Sequence, residues 1–443
     1  MFHRLKNYLR HRLPRRSVIY AFAKAGWSGQ KLPPGGRLKI DQTESTDRNF
    51  LLDRAGRFGP VFRATIWGEF CVCIVGLPLG RRLLREEAGN LGGMTMKLET
   101  LFPEGFLRQM EGEVHRKYRK ALVSAMQPND FETHRLNLRT IAGRSLAEYA
   151  GGANGRDDAA STYVAAVNRI ASGMLVQTFF GTPPGTTAFD RIMEGYQKLG
   201  PNGLVWNPGA PQKEALIEIR DYLLAQFAGA PEQRPANWRH SILGRIVNAG
   251  MLDETMLGNL IYMVEMGRYD CYSLFRWLTK FAAENPVMLE RIAHENNADL
   301  PLEKSFTEAF VSETLRLVQS ERLTRIVKRD IQFEGYLLPR HCIIRICLWE
   351  AHKSPGSFPD PFQFNPGRFL TNAPDRDQYS PFGLDQHQCP FGDTTLNLGG
   401  IFLRALAGGY TLTPVANGET VRGKHHWEPA NQFGVRLQPR NGL

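Results

Sequence analysis

One cysteine stands in a loop whose composition suits the presentation of a single sulfur atom. Cys389 follows Phe382 by seven residues and His387 by two, with glycine and proline on both sides. An apolar, helix-like stretch comes next, at residues 396–406. Turn-rich backbone ahead of a helix can offer one thiolate to a large flat metal cofactor, and thiolate is an axial ligand of haem iron in proteins. The alternative is a buried structural thiol, because free cysteine is among the most buried residue types.

A second group of residues could form a buried ion-pair network. Glu313 and Arg316 are three positions apart, so they share a helix face and can pair. Such a pair alone is common on surface helices. The later run at residues 358–369 contains three prolines, which favour irregular packed coil over helix. Its Arg368 is available as a third partner for Glu313 and Arg316.

In this order and spacing, the motifs resemble the cytochrome P450 superfamily, the haem-thiolate monooxygenases, from about residue 30 to the C-terminus. The resemblance implies a mainly α fold with small β-sheets, the triangular α-rich domain of that family. It implies haem b as the cofactor, Cys389 as the ligand to its iron and Phe382 at the cofactor. It also implies a structural triad of Glu313, Arg316 and Arg368.

The same resemblance implies partners for the carboxylates of the haem propionates. These partners are His115, Arg119, Arg325 and His387. His115 and Arg119 lie one helical turn apart, so both can point at one target. Charge-assisted hydrogen bonds from arginine or histidine to a carboxylate are strong. The alternative for His115 is an ordinary position on a surface helix.

The helix predicted over residues 254–284 departs from the family at its centre. The family has Ala-Gly-x-acid-Thr where this chain has Met266 to Asp270. Tyr269 therefore takes the acid position and Asp270 the alcohol position, beside Gly267. The resemblance implies that these three residues are the catalytic positions of an atypical member, which lacks the usual acid–threonine pair for proton delivery.

Helical periodicity places Met263, Met266, Gly267 and Asp270 on one face, and Arg268 on another. An aspartate buried beside the cofactor would have a raised pKa, which suits a proton donor. The carboxylate of Asp270 could instead balance a cationic substrate nitrogen or pair structurally with Arg268.

Two long connections, residues 89–106 and 180–211, interrupt the helical pattern. The resemblance implies that they border the substrate pocket, and long connections in compact domains tend to be functional. The predicted pocket residues are Met263, Met266, Phe102 and Phe106. The alternative for each is ordinary core packing.

Positive charge is concentrated at the N-terminus. Residues 1–40 contain ten lysines and arginines and no acid, and so carry +10 of the net charge of +11. We predict a basic amphipathic segment over residues 1–30 and a single haem-thiolate domain over residues 31–443. Residues 1–16 could contact an anionic membrane surface, could be a targeting segment, or could be a solvated tail. Because the charge is confined to this end and no binding motif accompanies it, we expect no nucleic-acid partner.

The chain of 443 residues has six cysteines, and their spacing fits neither a metal site nor a disulfide framework. This favours a reducing, cytoplasmic location. Any membrane contact is expected to be peripheral. The leading hypothesis is an oxidoreductase of specialised (secondary) metabolism, a monooxygenase of a small, largely apolar substrate. The resemblance implies a ferredoxin or a flavoprotein reductase as partner. Alternatives are peroxide-driven or redox-neutral haem chemistry (rearrangement, dehydration or nitrogen transfer), and a non-catalytic docking domain with the same fold.

Overall fold

The computed structural model describes most of the chain. The described residues are 16–44, 46–94, 98, 101–102, 105–126, 131–153, 159–201, 203–205, 207–228, 238–318, 322–371, 373–385, 388–416, 418–423 and 427–440. His387 and residues 1–15 of the predicted basic segment lie outside this set.

Helices account for most of the described structure. In chain order they are α1 Arg16–Ser28, α2 Ile40–Thr43, α3 Phe50–Phe58, α4 Leu77–Glu86, α5 Gly112–Ala125, α6 Phe131–Ala153, α7 Ala159–Phe180, α8 Thr187–Leu199, α9 Ala210–Ala228, α10 Ile242–Asn248, α11 Glu254–Glu284, α12 Pro286–Asn297, α13 Phe306–Val318, α14 Leu348–Ala351, α15 Arg368–Thr371 and α16 Gly392–Gly409.

Among the described residues, the strands form one larger sheet and three small ones. They are β1 Gly35–Lys39, β2 Val61–Ile66, β3 Glu69–Val75, β4 Leu91–Gly93, β5 Arg322–Val327, β6 Ile331–Phe333, β7 Tyr336–Leu338, β8 Ile343–Cys347, β9 Tyr410–Ala416, β10 Thr420–Arg422, β11 Trp427–Pro429 and β12 Gly434–Pro439. The six-stranded sheet has the order β1-β2-β3-β8-β5-β4. The pairs β6-β7, β9-β12 and β10-β11 are separate and antiparallel.

The long helix α11 runs through the main hydrophobic core. Asp253 caps its first turn by accepting a hydrogen bond from the amide of Met256 at 2.7 Å. The helix ends at Glu284, two residues before Pro286, where proline disfavours helical backbone in the preceding residue. It packs against α7, α13 and α16, and this packing fixes the residues at its centre inside the molecule.

The predicted fold class, mainly α with small β-sheets, is confirmed. The helix predicted over residues 254–284 has those bounds. The prediction that a long connection interrupts the helical pattern over residues 180–211 was wrong, because this stretch contains α8. Thr186 caps α8 by accepting from the amide of Phe189 at 3.3 Å, and Ile192, Tyr196 and Leu199 are buried on one face. The glycine- and proline-rich run just before α8 obscured that pattern.

Candidate active site

A stripe of partly or fully solvent-exposed residues lies at the centre of α11. Met263, Met266 and Gly267 are partly exposed and Asp270 is exposed, whereas most of this helix is buried. Their spacing puts them on one face, as predicted. An exposed stripe within the main core means that this face borders a recess. The proton-donor role expected for Asp270 beside the cofactor stays a prediction. Arg268 is buried and pairs with Glu265 instead of Asp270.

Cys389 faces the same recess. Its surface is exposed, yet burial among protein atoms is the largest cause that raises the pKa of its thiol. These two observations agree if the thiol opens into an interior space. The hydrogen bond from the amide of Phe391 lowers this pKa, and the negative charge of Asp270 raises it. The sulfur and the carboxylate therefore interact electrostatically across the recess.

The loop before Cys389 is fixed by backbone and side-chain contacts. The amide of Cys389 donates to the carbonyl of Phe382 at 2.8 Å. Asp385, at a position where the family has glycine, adopts φ +54°, a left-handed conformation that aspartate tolerates better than most residues. Its carboxylate lies 3.7 Å from Nη1 of Arg81. A side chain at Gly392 would collide with the ring of Phe382, so the packing requires glycine there.

Three arginines without acidic partners lie near this recess. Within the described residues, Arg108, Arg119 and Arg325 form no ion pair. Burial, with repulsion from Arg108 second, lowers the pKa of Arg325 to about 10. Burial likewise lowers the pKa of Arg119, whose Nη2 donates to the carbonyl of Gln388 at 2.8 Å. Grouped cations without counter-charges indicate a site for an anionic ligand.

Two further residues bear on this cationic group. His115 is buried, and burial, followed by the charge of Arg119, lowers its pKa, which keeps its imidazole neutral near pH 7. Arg108 was missed by the sequence reasoning. It acts electrostatically on both Arg325 and Cys389, but no motif or spacing singles it out in the sequence.

Glu313, Arg316 and Arg368 form a buried network. Glu313 accepts from Nε of Arg316 at 2.7 Å and from Nε of Arg368 at 3.1 Å. Both Glu313 and Arg316 are fully buried. Nη1 of Arg316 also donates to the carbonyls of His352 and Pro361 at 3.0 and 2.8 Å. The network thus joins α13 to the coil that leads toward the cysteine loop.

The predicted pocket residues Phe102 and Phe106 are buried in an aromatic cluster with Tyr262 of α11. The three ring centroids lie 5.3 to 5.6 Å apart. Asn259 fixes the segment that carries Phe106, because its Oδ1 accepts from the amide of Leu107 at 2.7 Å. Phe102 and Phe106 are thus packed against α11, and the role predicted for them in the substrate pocket stays a prediction.

A buried polar group on α11 was not foreseen from the sequence. Nε of Arg268 lies 2.9 Å from Oε2 of Glu265, and both side chains are buried. Nη2 of Arg268 and the hydroxyl of Tyr269 both donate to the carbonyl of Gly200, at 2.5 and 3.0 Å. We call Glu265, Arg268 and Tyr269 the α11 clamp. The hydroxyl of Tyr269 is thus directed at Gly200 and Arg268, and the role predicted for it in catalysis stays a prediction.

Comparisons with known proteins agree with this geometry. The family model described as Cytochrome P450 matches residues 290–391, which include the network of Glu313, Arg316 and Arg368 and the residue Cys389. Abscisic acid 8'-hydroxylase 1 of Arabidopsis thaliana is 24% identical over 94% of this chain and 91% of its own. The chain belongs to the cytochrome P450 superfamily. Ent-kaurenoic acid oxidase 1 of Hordeum vulgare is 24% identical over 81% of this P450 and 79% of its own length.

A solved structure shares the fold. The retinoic acid bound cyanobacterial CYP120A1 has a TM-score of 0.74 and 21% identity, and it covers 93% of this chain and 100% of its own. The P450 described here is therefore a haem-thiolate enzyme of the monooxygenase class with haem as its cofactor. The recess fits that group, because a thiol and three arginines without acidic partners border a space flanked by apolar α11 residues.

We expect Arg325 to hold a haem propionate. Replacing it with glutamine, Arg325→Gln, should speed haem loss by about tenfold, the effect of one lost charge-assisted hydrogen bond. The measurement is the rate of haem transfer to an excess of an apoprotein acceptor. Arg85→Gln, at an exposed arginine on α4, is the control and should match the parent protein. Equal rates for both variants would remove Arg325 from the haem site.

Proposed function

We propose that this P450 is a monooxygenase of specialised metabolism, that its substrate is a small and largely apolar organic molecule, and that Asp270 delivers protons in the recess. The observation that carries the proposal is the exposed stripe of α11, whose single charged member is Asp270. A carboxylate can take up and release protons at the place where the alcohol of the family's usual pair stands.

The other residues of the recess have separate roles. The haem, held by Cys389, supplies the oxidising reactivity when it is bound. Gly267 leaves space on α11, since a Cβ there would meet only the side chain of Leu175, at 3.5 Å. The flexible side chains of Met263 and Met266 suit an adaptable apolar substrate site.

The two relatives named above support an organic substrate, because their names refer to abscisic acid and ent-kaurenoic acid. Peroxide-driven and redox-neutral reactions use the same cofactor without a reductase. A docking domain without catalysis would not need cationic residues gathered around a thiol.

The test is a comparison of oxidants on the purified holoenzyme with a panel of apolar organic acids and alcohols. A product that gains one oxygen atom from labelled dioxygen, only when NAD(P)H and a ferredoxin or flavoprotein reductase are present, supports the proposal. Product formed with hydrogen peroxide alone would favour the peroxide-driven alternative. A rearranged product without any oxidant would favour the redox-neutral one.

We also propose that residues 1–16 contact an anionic membrane surface peripherally. The adjoining helix α1 exposes Ile19, Phe22 and Trp27, and ten positive charges lie in the first 40 residues. In the part of the chain that the structure describes, no helix is both long and apolar enough to cross a bilayer. Apolar side chains beside basic ones favour binding in the interface of an anionic bilayer.

The membrane prediction can be tested by vesicle flotation of the full chain. Binding to phosphatidylcholine vesicles that contain phosphatidylglycerol should exceed binding to neutral vesicles and should fall with added salt. Phe22→Ser should weaken it by about tenfold, since burying a phenylalanine contributes about 1.5–3 kcal/mol. Phe362→Ser, at a similarly exposed phenylalanine away from α1, is the matched control. Equal binding by both variants would contradict contact through this end.

A further inference from the structure

We propose that Arg81 on α4 is a positioning residue for the loop that carries Cys389. Its guanidinium binds residues 376–385, which we call the loop stem, and in this way it helps the sulfur of Cys389 to stay bound to the haem iron. The inference concerns how the ligand loop is held, and it does not depend on the proton role of Asp270.

The guanidinium of Arg81 reaches four positions of the loop stem. Its Nη2 donates to the carbonyl of Arg376 at 2.5 Å and to the hydroxyl of Ser380 at 3.2 Å. Its Nε lies 3.0 Å from a carboxylate oxygen of Asp377, and its Nη1 lies 3.7 Å from one of Asp385. The planar, five-donor fork of arginine allows one side chain to bind acceptors in several directions.

These contacts are largely shielded from water. The side chain of Arg81 is 5% exposed, and that of Asp385 is 20% exposed. Ion pairs at the surface contribute little to stability, because water and salt screen them. Hydrogen bonds from a buried charged group are stronger, and their loss leaves the acceptors without a donor. We therefore expect the loop stem to depend on Arg81 more than on a surface arginine.

Close packing brings α4 to the loop stem. A Cβ built at Gly80 would lie 2.7 Å from the side chain of Ile346 on β8 and 3.2 Å from that of Leu384 in the stem. The close approach of the helix therefore favours glycine at this position. Leu384 is fully buried in the cluster that also contains Leu77 and Leu83 of α4. Apolar packing thus places Arg81 where its guanidinium can reach the stem.

Two backbone hydrogen bonds connect the loop stem to the ligand. The amide of Cys389 donates to the carbonyl of Phe382 at 2.8 Å, and the amide of Gln388 donates to the carbonyl of Asp385 at 2.9 Å. Both acceptors belong to the stem. Asp385 therefore contacts Arg81 through its side chain and Gln388 through its backbone, so a shift of the stem would also move the residues around the sulfur.

The opposite side of the loop stem has a separate support. Nε2 of His352 accepts from the amide of Ser380 at 3.0 Å, and the hydroxyl of Tyr379 donates to the carbonyl of Ser312 on α13 at 2.9 Å. Burial is the largest cause that lowers the pKa of His352, so its ring is neutral and Nε2 can accept. Because this support remains, loss of the Arg81 contacts should loosen the loop without unfolding the protein.

The experiment compares Arg81→Gln with Arg82→Gln in the haem-loaded full chain. Arg82 is the next residue of α4, but its side chain is 43% exposed and pairs with Glu86 and Glu334. The probe is carbon monoxide on the reduced haem, because the absorption of this complex reports whether the iron keeps its thiolate ligand. We expect the thiolate form to be lost about tenfold faster in Arg81→Gln and at the parent rate in Arg82→Gln.

Two further variants test the contact itself. Arg81→Lys keeps the charge but loses the planar fork, so its rate should fall between those of the parent and Arg81→Gln. Asp385→Asn removes the charge, while asparagine also tolerates the left-handed backbone at this position. It should speed the loss of the thiolate form by about threefold, and less when combined with Arg81→Gln. Additive effects in the double variant would contradict the contact and overturn the proposal.

Hydrogen exchange separates this role from general destabilisation. In Arg81→Gln the amides of Gln388 and Cys389 should exchange faster, while those of α7 and α11 should match the parent protein. Three results would overturn the proposal: a parent rate of thiolate loss in Arg81→Gln, an equal acceleration in Arg82→Gln, or faster exchange throughout the protein.

Discussion

Asp270→Asn should lower reductase-driven turnover at least about 100-fold while haem content stays unchanged, because general acid catalysis contributes roughly 10²–10⁴-fold. Asparagine has nearly the same size and fills the same place on the exposed stripe of α11, but it cannot transfer a proton. The measurements are product formation per haem and the spectrum of the ferric protein.

Measuring the same variant with hydrogen peroxide as oxidant makes this test more specific, because peroxide supplies both the oxygen and the protons. The loss of activity in Asp270→Asn should be much smaller with peroxide than with NAD(P)H and a reductase. Asp393→Asn is the control, since it removes an exposed carboxylate from the first turn of α16, just after the cysteine loop. Unchanged reductase-driven turnover in Asp270→Asn would refute the proton role, and an equal loss with both oxidants would indicate a role in substrate binding instead.

Glu313→Gln should destabilise the protein by about 3–5 kcal/mol, the usual result of breaking a buried ion pair from one side. Glu313 is fully buried and binds two guanidinium groups, so the change leaves Arg316 and Arg368 without a counter-charge. The coil that Arg316 holds through the carbonyls of His352 and Pro361 should loosen as well. Urea unfolding of the holoenzyme, followed by far-UV circular dichroism, measures the free-energy change.

Glu284→Gln provides the comparison for this buried network. Glu284 accepts from Nζ of Lys280 at 2.6 Å, but its side chain is exposed. Exposed pairs of this spacing contribute only about 0.3–0.5 kcal/mol. A loss of stability in Glu313→Gln no larger than that of Glu284→Gln would mean that the buried network has little energetic importance.

At the centre of α11, the two positions that hold the acid and the alcohol in the family hold Tyr269 and Asp270 in this chain. Tyr269 stands at the acid position, yet its hydroxyl binds the carbonyl of Gly200 and the guanidinium of Arg268. The only carboxylate on the open stripe is Asp270, in the part of α11 that the structure describes. The hydroxyl of Tyr269 is thus engaged in the α11 clamp, whereas Asp270, the next residue, lies on the exposed stripe.

The sequence was sufficient for the features that depend on local patterns. The period of the apolar residues predicted α11 and the face that carries Met263, Met266, Gly267 and Asp270, because helix geometry relates spacing directly to direction. The order of Glu313, Arg316, Arg368 and Cys389 predicted the superfamily. Haem as cofactor followed from the same motifs.

Only the tertiary structure decided which distant residues meet. Gly200 bonds to the clamp on α11, and the charge of Arg108 acts on Arg325, although no spacing in the chain relates these segments. Glu265 and Arg268 are buried, and the pKa of Glu265 is raised by that burial, at the place where Tyr196 and Gly200 meet α11. Periodicity specifies a direction around one helix, whereas burial and the electrostatic environment depend on what the rest of the fold places in that direction.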